Sequence, residues 1–165
     1  MTILHIAMAT AAALTAGAPD QHPLFYCRTP QKIEQANVPD VYGAYGSRSV
    51  SIIKQALAGD RESLSQTVDS DAKFIIFAGD VGIGPRSKGI DAVVEFARQL
   101  EPRSYQFSTA SAGPLSMSPC GSVEIDLTFA RDAHSDAVIA TFQYQDGVLI
   151  GVTGSHIKLV TGEFP

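Results

Sequence analysis

The sequence predicts an α+β fold in which helices come first and a sheet packs against them. Three observations point that way. Between Val50 and Leu100, two short amphipathic stripes, an apolar run and a third amphipathic stripe follow in order. From Tyr105 onward, four segments read as strands with turn signals between them. Finally, 165 residues with 45% hydrophobic content are enough for one core, and ordinary domain sizes make two improbable.

The first eighteen residues, MTILHIAMATAAALTAGA, contain no Lys, Arg, Asp or Glu. Ala16-Gly17-Ala18 supplies the small-x-small pattern that signal peptidase reads, so residues 1–18 are expected to be a signal peptide and the protein periplasmic or secreted. The start lacks the usual positive charge and Pro19 follows the cut. The alternative is therefore a retained Ala-rich helix in a cytoplasmic protein. The run is too short for a stable membrane span.

Residues 19–46 read as a leader laid over the domain, because Pro19, Pro23, Pro30 and Pro39 punctuate structure. Short helical turns are expected from Lys32 to Ala36 and from Asp40 to Tyr45. Phe25, Tyr26, Tyr42 and Tyr45 would anchor the leader. Cys27 and Cys120 either close one long loop in an oxidising compartment or remain two thiols; spacing alone does not choose.

The domain proper is expected over residues 47–165. Ser47 or Ser49 can cap a helix carrying Val50, Ile53 and Leu57, ended by Gly59. Asp60 caps the next, with Leu64 and Val68 four apart. Ala72 to Ala78 reads as a strand buried on both faces. The glycines of Gly79 to Pro85 do not match a phosphate loop: the GxxxxGK[ST] spacing is missing, Asp80 would repel an anion, and Pro85 lacks an amide. That segment reads as a plain connection. Ile90, Val93, Val94, Ala97 and Leu100 form a helical stripe that Pro102 ends. Strands follow over Tyr105–Ala112, Ser122–Arg131, Ala137–Gln145 and Val148–Ile157, an antiparallel sheet with one covered face. Gln145-Asp146-Gly147 marks a tight hairpin.

The segments Ile53–Asp60 (IKQALAGD), Asp69–Phe77 (DSDAKFIIF), Lys88–Phe96 (KGIDAVVEF) and Phe142–Ile150 (FQYQDGVLI), in that order, resemble the NTF2-like superfamily of SnoaL-like and ketosteroid-isomerase-like proteins. The resemblance implies a cone: a curved antiparallel sheet wrapped around three N-terminal helices, enclosing an apolar pocket. It also implies a homodimer formed through the sheet face. Carrying isomerase chemistry across places the general base at Ile76, the oxyanion-hole acid at Ala140 or Ile139, and the partner tyrosine at Ile52 or Ile53. None of these side chains can exchange a proton.

In the resembling family the last strand lines the pocket with Val152, Gly154 and His156. His156 is then the best polar candidate, a neutral imidazole able to accept a proton, with Tyr144 or Asp80 to orient it. The plainer reading has His156 close the pocket or bond the leader. Phe142, Tyr144, Val152, Gly154, Phe77 and Asp80 complete the expected ligand-binding lining. Glu124 and Asp126 alternate onto the outer face, and the Asp132, His134, Asp136 trio reads as a solvated turn. No cofactor and no metal site are expected.

A net charge of −5 with no basic run argues against nucleic acid. Two functions follow. The favoured one is a noncatalytic pocket that binds a small hydrophobic molecule or a partner. The alternative is a lyase or isomerase of dehydratase or cyclase type, with His156 as base on a small hydrophobic, oxygenated substrate.

Overall fold

The computed structural model describes residues 23–25, 27, 36–78, 81–84, 87–100, 104–107, 116–130 and 136–158. The expected signal peptide, Tyr26 and the helical turn begun at Lys32 lie outside them. After a short 3-10 turn, Pro23–Phe25, the elements are β1 (Ala36–Asn37), α1 (Val38–Ala58), α2 (Arg61–Thr67), β2 (Val68–Ala78), β3 (Val81–Ile83) and α3 (Gly89–Leu100). Then come β4 (Ser104–Phe107), β5 (Ser116–Met117), β6 (Ser122–Ala130), β7 (Asp136–Gln145) and β8 (Val148–Lys158). No described helix is long and apolar enough to cross a membrane.

Six strands form a curved sheet in the order β3-β2-β8-β7-β6-β4, and β1 pairs with β5 apart from it. The three helices fill its concave side, the α+β cone that the resemblance implies. One detail differs from expectation. β2 and β8 run parallel, so the sheet is mixed. Alternation fixes which face of a strand is buried, but the direction of two strands this distant in sequence is set by the path of the chain between them. Register shifts between Val68 and Lys73 and between Gln143 and Tyr144 mark irregularities where strands bend.

α1 is the largest departure. The turn expected from Asp40 to Tyr45 at the end of the leader and the helix expected from near Ser47 are one helix of 21 residues. Pro39 sits in its first turn, where its missing amide costs nothing. Val41, Tyr45, Ile52, Ile53 and Ala56 then form one buried stripe, and that burial outweighs the weak helix propensity of Gly43, Gly46, Ser47 and Ser49. Gly59 ends the helix in the left-handed conformation at φ 74°. Asp60 caps α2, accepting from the Ser63 amide at 3.1 Å and the Ser63 hydroxyl at 2.7 Å. Those hydrogen bonds, the hydroxyl's foremost, hold its carboxyl below the ordinary value.

β3, read from sequence as a plain connection, is a short strand folded back on Ile76–Ala78. Gly89 opens α3 at φ +61°, where a Cβ would stand 2.7 Å from the Ser70 carbonyl oxygen. Any side chain would push the helix off the strand there. α3 buries Ala92, Val93, Phe96, Ala97 and Leu100, with Phe96 packed 5.4 Å from Phe74. Losing a ring of that kind typically costs about 3–5 kcal/mol.

Cys27 and Cys120 are joined in a disulfide with Cα atoms 5.3 Å apart. The bond ties the leader to the turn before β6. The residues are 93 apart, a loop whose closure lowers unfolded-chain entropy by about 4–5 kcal/mol equivalent in the chain-entropy account. The double variant C27S/C120S is expected to lose about 2–5 kcal/mol of unfolding free energy in urea titration; a loss within error of zero would show that the leader is not anchored through this bond.

Candidate functional site

Strand register lays out the concave face in rows. Val123, Tyr144 and Leu149 form the first; Ile125, Phe142, Val152 and Phe74 the second; Leu127, Ala140, Gly154 and Ile76 the third; Phe129, Val138 and His156 the last. Phe142, Tyr144, Val152 and Gly154 therefore share a face, as expected. However, Phe142 and Tyr144 are 0% exposed and Val152 1%. Helix side chains cover this part of the cone, and these residues are core rather than the wall of an open pocket. At Gly154 a Cβ would meet Val138 Cγ1 at 3.1 Å, so the third row is close-packed too.

His156 is on the same face but exposed, in the last row beside Val138. Of the two expected partners, Tyr144 does not reach it. Tyr144 is six residues along β7 from Val138, about 20 Å at the rise of a strand, and its hydroxyl lies 2.7 Å from Ser49 Oγ. Asp80 lies outside the described residues, as do Asp132 and His134. Phe77 pairs with Ser155 on the convex face and is 37% exposed, one residue out of phase with Ile76, so it does not share the concave face with the other expected lining residues. Ile76, Ala140, Ile52 and Ile53, where isomerase chemistry would need polar groups, are buried aliphatic core, and the alternative position Ile139 is 38% exposed on the convex face.

Glu124 and Asp126 are on the convex face. Gln143 Nε2 donates to the first at 3.2 Å and Thr141 Oγ1 to the second at 2.6 Å. Among the described residues, no three of His, Cys, Asp and Glu are grouped to hold a metal ion.

The closed end of the cone is polar inside and tightly joined. The Tyr45 hydroxyl donates to the Pro119 carbonyl at 2.6 Å, and Ser49 Oγ donates to the Tyr45 carbonyl at 2.9 Å. The Tyr45 and Tyr144 rings pack 4.8 Å apart, and Phe25 meets Tyr45 edge-on at 5.0 Å. The Arg48 guanidinium lies over the Phe25 ring, 4.1 Å from its centre. The β7–β8 turn closes against this group, since a Cβ on Gly147 would stand 3.2 Å from the Phe25 carbonyl oxygen. Phe25 and Tyr45 are thus leader anchors, as the sequence suggests.

Anchoring Leu24 and Phe25 here creates a feature that sequence reasoning missed. A groove of about 600 Å³ runs along the outward side of the first half of α1, lined by Leu24, Phe25, Ala36, Pro39, Asp40, Gly43, Ala44 and Ser47. The helical period explains it. Val41, Tyr45, Ile52 and Ala56 point into the cone, so Asp40, Gly43 and Ser47 fall on the opposite side of the helix.

No protein-family model and no curated protein matches the chain by sequence. Its fold is similar to that of solved NTF2-like proteins. One of unknown function from Silicibacter pomeroyi is 9% identical, with 74% of this chain and 100% of that one covered at a TM-score of 0.47. Another, from Burkholderia xenovorans, is 10% identical, with coverages of 78% and 87% and a TM-score of 0.43. A cystatin-like fold protein from Burkholderia xenovorans is 13% identical, with coverages of 72% and 93% and a TM-score of 0.44. These likenesses are loose, and the agreement with an NTF2-like cone rests on the element order and the curved sheet described above.

Burial pushes the Tyr45 phenol up to about 12; the Arg48 charge opposes that shift, the Asp146 charge adds to it, and a hydrogen bond with the Gly147 backbone lowers it. A phenol raised in the folded state from its ordinary 10.0 stabilises the fold at neutral pH and loses that contribution as pH climbs through about 12. The loss is roughly 2–3 kcal/mol. Ultraviolet titration should show the Tyr45 phenol ionising late or together with unfolding, as a phase that Tyr45→Phe removes. Titration of every tyrosine near the ordinary value in folded protein would contradict the burial of this hydroxyl.

Proposed function

We propose that this chain is a noncatalytic binding domain that takes a small hydrophobic molecule in the groove beside α1. The groove carries the reading. Its volume of about 600 Å³ lies within the usual range for small-molecule sites, and five of its eight lining residues are Leu24, Phe25, Ala36, Pro39 and Ala44. The disulfide and the Phe25 contacts hold the outer wall in place, so binding need not spend free energy on ordering it. The disulfide also supports a periplasmic or secreted location, where such bonds persist.

A second reading, with His156 as a general base, is supported by the exposure of that side chain at the end of the concave face. The two readings place the ligand at different ends of the cone. The same binding-domain reading accommodates a second copy on the convex face, where Phe77 and Ile139 flank Ser155 and are 37% and 38% exposed.

Gly43 gives the cleanest test. A Cβ there meets nothing within 4 Å, so Gly43→Leu projects into the groove without a backbone clash. In mid-helix the exchange should raise stability by about 0.5–1 kcal/mol. Binding of the neutral fluorescent probe N-phenyl-1-naphthylamine should weaken about tenfold in Gly43→Leu, the size of a modest overpacking penalty. His156→Ala should bind it like the parent. Loss of binding in His156→Ala with Gly43→Leu unaffected would move the site to the concave end. For the convex face, sedimentation should show a dimer that Phe77→Lys dissociates; a monomeric parent refutes it.

A further inference from the structure

Among the described residues that line the groove, Asp40 alone is charged. Asp40 and Ser47 are seven residues apart on α1, about 10 Å along the axis, with Gly43 and Ala44 between them. The strip therefore has an anionic end, an apolar middle and a hydroxyl end. We propose that the groove selects a small hydrophobic amine, with its ammonium group at Asp40 and its apolar body lying over Gly43 and Ala44 toward Ser47. This rests on the groove reading above and names the class of ligand the groove takes.

The sign of the local field decides between an amine and an acid. Asp40 is in the first turn of α1, where the helix terminus contributes about half a positive charge. A full carboxylate charge outweighs that half. Pro39, beside it, has no amide to offer an anion. Arg48 is the nearest cation in α1, yet it is not part of the groove wall. Its backbone is eight residues further along the helix, about 12 Å in axial rise, and its buried guanidinium is stacked on the Phe25 ring rather than set at Asp40. No described cation pairs with Asp40, which is exposed at the groove. The chain's net charge of −5 acts in the same direction.

The chemistry also bounds the ligand's size. A phenyl ring on a four-carbon amine matches the length of the strip, about 10 Å from Asp40 to Ser47.

The test is displacement of N-phenyl-1-naphthylamine by 4-phenylbutylamine and by its neutral counterpart 4-phenylbutan-1-ol, in the full chain and in Asp40→Asn. The amine should displace the probe at up to about fivefold lower concentration than the alcohol, the scale of an exposed ion pair, and added salt should shrink that ratio. Asp40→Asn should bring the ratio close to one and leave the alcohol unchanged. Equal displacement by the two compounds in the parent, or a preference that survives Asp40→Asn, overturns the amine assignment. Failure of the neutral probe to bind the parent at all would instead overturn the groove reading, and this inference with it.

Discussion

α1 has two faces with different tasks, and the arrangement of the molecule follows from how they are divided. The inward face fills the narrow part of the cone: Val41, Tyr45, Ile52, Ile53 and Ala56 pack with the rows led by Phe142, Tyr144 and Val152. A curved sheet needs such a filler, because the first three rows of its concave face are apolar apart from the Tyr144 hydroxyl and would otherwise be wet. Once the helix fills it, that part of the interior has no space for a ligand. The outward face, small and polar at Gly43, Ala44 and Ser47, is left for the leader to approach. The groove is the gap that remains between them.

The closed end shows why the leader stays there. Covalent, aromatic and cation–π contacts converge on Cys27 and Phe25, and each partner is itself fixed from another element: Tyr45 by the Pro119 carbonyl, Tyr144 by Ser49, the β7–β8 turn by the Gly121 amide, which donates to the Asp146 carboxylate. Buried hydroxyls without partners would be costly, and these have them. The surface ion pairs Arg61–Asp91 and Lys88–Asp71 are exposed and contribute little by comparison.

Much of the scaffold was legible in the residues. The alternation of Val123, Ile125, Leu127 and Phe129 identified the buried face of β6, Asp60 and Gly59 marked the α1–α2 junction, and Asp146-Gly147 marked the last hairpin, all for local reasons. The continuity of α1 through Gly46 was not, because the glycines and serines between the turn expected over Asp40–Tyr45 and the helix expected from Ser47 speak locally against one helix, while tertiary burial of Val41 and Tyr45 speaks for it. The parallel pairing of β2 with β8 depends on chain path, which no local pattern encodes. Phe77 was available in principle, since alternation from Phe74 turns it outward. The filled state of the cone depended on the summed volume of helix side chains. The groove is built from two segments brought together by a cysteine pairing that spacing alone left open.

The account's central claim is that this cone binds its ligand on the outward face of α1 and not within its concave face. Backbone amide shifts in a two-dimensional NMR titration with N-phenyl-1-naphthylamine address it directly. The account predicts that the amides of Leu24, Ala36, Gly43, Ala44 and Ser47 move together in a saturable way, while Val138, Gly154 and His156 stay still. Saturable shifts confined to Val138, Gly154 and His156 would contradict it and return the site to the mouth of the cone.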